Sequence, residues 1–340
     1  VSGRVRLARI TDLAALGELS RISQQDGVDA RSLGLPVSGP RIGVFSLFRL
    51  PLGAFRPNDL LFVYEDERRI SGLLRVERDA SRDEMTIVEL DAIGTGDSGD
   101  TRFRLVQHLL RDAPRRGAFR IHVACAEDQG NLELFMQAGF ARYGAENLLF
   151  RTPGTGFPKA WPEEKVRGAR VRPFAPLDAL PLARLYAAVT PQPVARLEAY
   201  RLPDWERQDS STRVPRSSLA PILRFADVEA YVQEDGAGGL LALLQIGVAR
   251  EDQPHYLRVM ARPDGDVAPI VDFGLGLIGA HVERGGNCPN MGVLAPVRTY
   301  ESPIDRRLEE AGFANLATVT LLLKEALVRV EEPALVPAVR

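Results

Sequence analysis

Apolar and polar positions recur along this chain in a fixed order of patterns, and that order occurs twice. The stretch VRLARITDLAALGELSRI opens on Val5-Arg6 and reaches Asp12 seven residues after the valine, and VRPFAPLDALPLARLYAA repeats the interval from Val171-Arg172 to Asp178. In each, a short extended segment meets an aspartate suited to capping a helix, and leucines follow at helical spacing: Leu16 and Leu19, then Leu182 and Leu185. Two further stretches, LLFVYEDERRISGLLRVERD (60–79) and VEAYVQEDGAGGLLALLQIGV (228–248), each set a Glu-Asp turn between β-rich runs and predict hairpins. MTIVELDAI and HYLRVMA read as strands, followed by helices TRFRLVQHLLRDA and VAPIVDFGLGLIGAHVE. On the latter, Val267, Ile270, Val271, Gly274, Leu277, Ile278 and His281 share one face, which makes His281 a packed or edge residue rather than a ligand.

The last third of each half repeats as well. FRIHVACA and CPNMGVLA read as strands, NLELFMQAG and SPIDRRLEEAG as helices, and both halves close on Ala-Gly-Phe before an apolar run, in MQAGFARYGAENLLFR (136–151) and EEAGFANLATVTLLLK (309–324). Glycine after a last helical turn is the expected left-handed residue, from which the phenylalanine folds back onto the sheet. The expected order per half is β-α-β-β-β-α-β-α-β-β, a mixed sheet with helices on its faces. TPGTGFPKAWPEEKVRG, with its early prolines and glycines, reads as a linker. The domains expected are therefore residues 1–151, a linker at 152–168, and residues 169–340, related by duplication.

Length and composition fit this plan. The chain has 340 residues, 45% hydrophobic and 26% charged, enough for two domains each with its own core. A net charge of −2 supplies no broad positive field, so nucleic acid and anionic membranes are not expected as partners. The absence of a long apolar run or a signal-peptide pattern gives a cytoplasmic expectation. Two cysteines, Cys125 and Cys288, make no disulfide framework and are expected as reduced core residues. Histidines at 108, 122, 255 and 281 show no zinc spacing, and there is neither a Walker loop nor a G-x-S-x-G elbow.

The strand-Asp-helix start, central hairpin, strand running into a helix, and closing helix ending in Gly-Phe resemble the GNAT superfamily of acyl-CoA-dependent N-acyltransferases. The tandem arrangement resembles two-domain members such as mycothiol synthase. The resemblance implies an α/β (α+β) fold in which two GNAT-like domains each hold a mostly antiparallel sheet flanked by helices. It implies that the fourth and fifth strands splay to admit the pantetheine arm of acetyl-CoA or another acyl-CoA. It also implies a Gln/Arg-x-x-Gly-x-Gly/Ala loop whose amides cradle the pyrophosphate at a helix N-terminus.

In the first half that loop falls on Asp97, Asp100 and Arg102, or one residue on at Ser98, Thr101 and Phe103; neither register matches, and the aspartates would repel a pyrophosphate. In the second half, Arg262 and Gly265 match while Val267 stands at the final small position. Arg262, Gly265 and Val267 are accordingly the expected coenzyme residues, with the second half catalytic and the first a structural partner. The family's helix-start Asn and its tyrosine four residues before the glycine are replaced by Asp128 and Phe135 in one half and by Glu301 and Leu308 in the other.

Glu89, on the fourth strand, is the expected general base, with a solvent-facing residue as its bland alternative; its counterpart by offset is Leu257, beside the weaker candidates His255 and Tyr256. His122 reads as a hydrogen-bonded core histidine. The long segments after each first helix cover the acceptor side in this architecture, and Phe48, Tyr200 and Trp205 are aromatic candidates for a pocket or the core. Two functions follow: transfer of an acyl group to a small-molecule amine, or a non-catalytic tandem protein that kept the fold as a ligand-binding or interaction module.

Overall fold

A computed structural model describes residues 3–25, 33, 59–67, 69–79, 81–93, 98–126, 130–208, 214–219, 223, 225–249, 253–284 and 291–326. The first half comprises β1 (Arg4–Leu7), α1 (Leu13–Gln25), β2 (Asp59–Asp66), β3 (Arg69–Asp79), β4 (Glu84–Ala92), α2 (Ser98–Asp112), β5 (Arg120–Cys125), α3 (Asn131–Gln137) and β6 (Ala141–Arg151). After α4 (Glu163–Gly168) the second half runs through β7 (Val171–Pro173), α5 (Ala179–Val189), α6 (Gln192–Glu198), α7 (Leu202–Trp205), β8 (Phe225–Glu234), β9 (Leu240–Ala249) and β10 (His255–Ala261). It ends with α8 (Ala268–Glu283), β11 (Val293–Arg298), α9 (Ser302–Glu310) and β12 (Ala314–Glu325). Among the described residues no helix is long and apolar enough to cross a membrane.

Both halves begin with the same device. Arg6 on β1 donates both terminal nitrogens to Asp12, at 2.6 and 2.9 Å, and its Nε to Glu65 on β2 at 2.8 Å. Arg172 repeats this with Asp178, at 2.8 Å twice, and with Glu234 at 2.6 Å. The expected helix caps are thus something else: each aspartate accepts the backbone N–H three residues earlier, Arg9 or Ala175, and closes a 3₁₀ turn that it ties to the strand.

The closing turns match the expectation in detail. Gly139 and Gly312 adopt φ of +82° and +89°. Phe140 N–H reaches Phe135 C=O, and Phe313 N–H reaches Leu308 C=O, each at 3.0 Å, the six-to-one bond of a left-handed helix end. Phe135 and Phe140 then meet edge to face at 5.2 Å. Each predicted closing pair of strands is one strand, because no turn interrupts the apolar run.

Those two strands change places. The order in the sheet is β1-β2-β3-β4-β5-β12-β6-β11-β10-β9-β8-β7, so the chain's last strand completes the first half and β6 completes the second. Thr320 to Glu325 pair antiparallel with Cys125 to Arg120, and Val293 to Arg298 pair antiparallel with Arg151 to Glu146. The twelve described strands form one continuous sheet, and among the described residues its edges are the short strands β1 and β7, which leave little template for pairing with another chain. Among the described strands, only β4 with β5 and β10 with β11 run parallel.

The segment after β6 does more than connect. Phe157, Trp161, Val166 and Ala169 pack onto the second core, and Trp161 meets Phe273 of α8 at 6.0 Å. This close approach is why α8 carries glycines: a Cβ on Gly279 would lie 2.5 Å from Phe157 Cβ, and one on Gly276 would lie 3.1 Å from the Lys159 carbonyl oxygen.

Candidate functional site

Parallel pairing of β4 with β5 covers only Glu84–Ile87 against Arg120–Val123, and that of β10 with β11 covers only His255 and Tyr256 against Val293 and Leu294. Beyond those residues the strands part. A register shift in β3–β4 at Arg75/Val76 adds a residue to β4 at this point, which bends the strand away from its neighbour. Each half therefore contains the opening between fourth and fifth strands that the resemblance implies, but the two openings are filled differently.

In the second half an ion pair spans it. Arg258, on the freed part of β10, donates at 2.8 and 2.9 Å to both carboxylate oxygens of Glu301 at the start of α9, and the side chains are 1% and 3% exposed. Burial pushes the guanidinium pKa down, and Glu301 more than reverses that. The loop opening α8 is similarly self-satisfied. Arg262 donates to both oxygens of Asp264, at 3.1 and 2.9 Å, while Asp266 accepts the N–H of Ala268 at the helix start. Val267 is buried in the second core, and the position of a Cβ on Gly265 meets only ordinary contacts. A pyrophosphate here would have to displace two carboxylates from the cation and the amide it needs.

The first half places different groups at its opening. Of the residues aligned with the phosphate loop, Asp97 lies outside the described residues, as do Asp128, Phe48 and Cys288, while Asp100 pairs with Arg104 in the first turns of α2; Cys125 is a buried thiol. Asn131, fully buried at the start of α3, accepts a hydrogen bond from Arg102 at 2.9 Å, and its Nδ2 makes none. Burial holds the Arg102 pKa below its ordinary value, against the pull of Asp91. This half-buried cation and buried amide tie α2 to the start of the helix that follows β5.

A cleft of about 50 Å³ opens where β4 and β5 part. Its first-half wall includes Thr86, Ile87, His122, Val123, Ala124 and Tyr143, and its second-half wall includes Glu198, Tyr200, Arg216, Ser217, Ser218 and Arg298. The second half reaches across because the segment between α5 and β8 folds over the first half's sheet: Arg82 donates to Asp204 of α7 at 2.6 Å and to the Glu198 carbonyl at 2.8 Å, and lies 4.5 Å over the Tyr200 ring. Tyr186, Tyr200 and Trp205 pack edge-on beneath it, with Trp205 in the core and Tyr200 on the cleft.

Charges in this wall are paired. Glu84 accepts two hydrogen bonds from Arg82, at 2.9 and 2.8 Å, and has Arg120 at 3.1 Å, Arg216 at 3.4 Å and His122 Nε2 at 3.8 Å. Burial would raise its pKa, but His122 and Arg82 hold it well below the ordinary carboxylate value. Glu198 accepts Arg298 at 2.8 Å and the Tyr186 hydroxyl at 2.5 Å, while Glu146 accepts the Ser218 N–H at 2.8 Å. Burial pushes His122 down from 6.5, against Glu84, and pushes the Tyr143 and Tyr200 phenols up. At neutral pH the cleft thus presents an uncharged imidazole and protonated phenols.

Among the sequence candidates, Glu89 is on β4 beyond the parting, 6% exposed and 3.6 Å from Arg75; it is not on the cleft wall. His255 and Tyr256 are buried, with Tyr256 donating to Ser217 at 2.8 Å. His281 is half-buried, with its Nε2 2.8 Å from Glu229. Phe135 and Leu308, at the family's tyrosine positions, are 0% and 1% exposed and face the core. Sequence reasoning missed His122 as a cleft residue. The available signal was alternation on β5, where His122 and Ala124 must face opposite to Ile121 and Val123.

No protein-family model matches the chain, and no curated protein sequence matches it. Solved structures do. A tandem GNAT protein from the clavulanic acid biosynthesis pathway aligns over 96% of this chain and 99% of its own, at 15% identity and a TM-score of 0.55. A GCN5-related N-acetyltransferase from Sphaerobacter thermophilus aligns over 96% of both chains at 14% identity and the same TM-score. With the paired openings and exchanged strands, these likenesses define a tandem GNAT fold. At such identities they speak for the fold alone.

Proposed function

We propose that this chain is an acyl-CoA-dependent N-acyltransferase acting on a small-molecule amine, with residues 1–151 holding the coenzyme and residues 169–340 forming the opposite wall of the acceptor cleft. The linker 152–168 fastens to the second unit. The observation that carries this is the contrast between the two openings: one meets a cleft lined by His122, and the other is spanned by Arg258–Glu301. This choice of half reverses the one drawn from Arg262 and Gly265 in the sequence, because the structure engages Arg262 with Asp264.

Acyl-CoA would supply the activated acyl group at the parting of β4 and β5, and Arg102, half-buried on the helix after β4, is the cation proposed to meet its phosphates. His122 is the proposed base. Its Nε2 makes no hydrogen bond to a described residue, and its depressed pKa leaves it unprotonated at neutral pH, able to take the proton whose loss turns the substrate ammonium into the attacking amine; as that nitrogen bonded the acyl carbon the thioester C–S bond would break, and the amine's second proton would pass to the departing CoA thiolate. Glu84 beside it stays ionised and stabilises the imidazolium that results. Ile87 and Val123 wall off water on the coenzyme side. A non-catalytic module remains the second reading, favoured by the closed second opening and by the buried Phe135 and Leu308.

Calorimetric titration with acetyl-CoA tests the assignment. Binding to the parent chain, weakened about tenfold or more in Arg102→Leu and unchanged in Gly265→Glu, is the expected result. No heat with the parent chain would sink the transferase reading, and loss of binding in Gly265→Glu alone would return the coenzyme to the second half. With an identified amine, His122→Gln is expected to keep coenzyme binding and lose roughly 100-fold or more in turnover.

A further inference from the structure

We propose that the cleft is built for an amine that also carries a carboxylate, of the α-amino acid class, rather than for a polycationic amine. This rests on the transferase reading for the reaction, although binding can be measured without it. The carboxylates of the described wall are already engaged. Glu84 is surrounded by Arg82, Arg120 and Arg216, and Glu198 accepts Arg298 and Tyr186; Glu146, which does not line the cleft, accepts the Ser218 amide with one oxygen and holds the other 3.6 Å from Arg298 Nε. A second cationic group on the ligand would find no carboxylate there to receive it and would face Arg82, Arg216 and Arg298 instead.

Donors in the same wall are less fully used. Arg298 is 3% exposed, holds its Nε 3.6 Å from Glu146 and spends Nη2 on Glu198 and the Arg216 carbonyl, but its Nη1 makes no hydrogen bond to a described residue. Neither does the hydroxyl of Ser218. A buried guanidinium N–H without an acceptor carries a desolvation cost that a ligand carboxylate would recover through a charge-assisted bond. His122, on the opposite wall, is the group placed to meet the amine. The free volume of about 50 Å³ corresponds to a few water-sized positions, at roughly 10–15 Å³ each. That suits a carboxylate, its α-carbon and an amine, with the side chain directed toward the open end.

Thermal-shift measurements on the full chain, with and without CoA, should compare amino acids with their decarboxylated counterparts at about 10 mM: alanine with ethylamine, histidine with histamine, ornithine with putrescine. At least one amino acid is expected to raise Tm by about 2 °C or more while its decarboxylated partner does not. Ser218→Ala is expected to weaken that binding roughly three- to tenfold and to leave the ligand-free Tm unchanged, since its hydroxyl has no internal bond to lose. Equal or larger shifts with the decarboxylated amines, or no shift with any amino acid, would overturn the proposal. Amino-acid binding without acetyl-CoA binding would uphold this cleft and defeat the transferase reading; acetyl-CoA binding without amino-acid binding would do the reverse.

Discussion

Removing one partner of the Arg258–Glu301 pair should be among the most damaging single changes available in the second half. In Glu301→Ala the guanidinium keeps its position at 1% exposure but loses both carboxylate oxygens, at 2.8 and 2.9 Å, and the Arg298 N–H loses its acceptor at 3.0 Å. An uncompensated buried charge of this kind costs about 3–5 kcal/mol. Replacing both residues by apolar groups of similar volume, Arg258→Met with Glu301→Leu, removes the desolvation problem along with the attraction and should fall within about 1 kcal/mol of the parent or exceed it. Urea unfolding followed by circular dichroism, with parent, both singles and the double, gives the coupling energy directly. A cost below about 1 kcal/mol for Glu301→Ala would mean that Arg258 finds water or another anion when released. The second opening would then be a solvated slot, and the contrast on which the coenzyme assignment rests would disappear.

Acid should destabilise the protein through the cleft. Glu84 has a folded pKa below its ordinary 4.5, so its contribution is present above that value and is lost as pH falls below it. His122, pushed below 6.5 when folded, takes up its proton more readily in the unfolded chain and adds a loss that begins nearer pH 6.5. Urea midpoints measured from pH 7 to about pH 3 should fall, and Glu84→Gln should flatten the lower part of the curve; parallel curves would refute this. Placing by Phe135→Tyr the phenol that the resemblance implies at this position should not raise turnover and should cost about 1–3 kcal/mol, because the new hydroxyl enters a fully buried site against Phe140. A rate gain would show that this position faces the slot. Separated pieces 1–168 and 169–340 should fold poorly alone and recover when co-expressed, since each lacks the other's closing strand; two independently cooperative pieces would contradict the exchange.

Much of the fold could be read along the chain because its signals are local. Gly139 and Gly312 follow helical turns and precede a phenylalanine, and only a left-handed residue satisfies the carbonyls there. The repeated Arg6–Asp12 and Arg172–Asp178 spacings mark the duplicated starts even though the aspartates tie turns rather than cap helices. The site was less legible. Arg262 and Gly265 look like a phosphate loop, but Asp264 and Asp266 compete for the same cation and amide, which depends on how the turn closes. Glu89 looked like a base because it is a carboxylate on the right strand; its side chain reaches Arg75 through a cross-strand register. His122 looked like core because its strand is apolar, and it reaches the cleft because Tyr200 and Ser218 come from a segment far away in sequence.

The sequence by itself determined two copies of one plan, the elements within each copy and the glycine turns that end their last helices, since propensity, periodicity and turn chemistry act over a few residues. Only the tertiary structure decided which sheet each closing strand enters. β6 and β12 are both apolar strands after the same turn, and nothing local distinguishes their own half from the other. That exchange makes one sheet of twelve strands, brings Arg298 and Glu198 against Glu84 and His122, and gives the two openings their different contents. Pairings across 195 to 205 residues are settled by the burial and charge pairing of the finished interface, where unpaired strand edges and buried ions are costly.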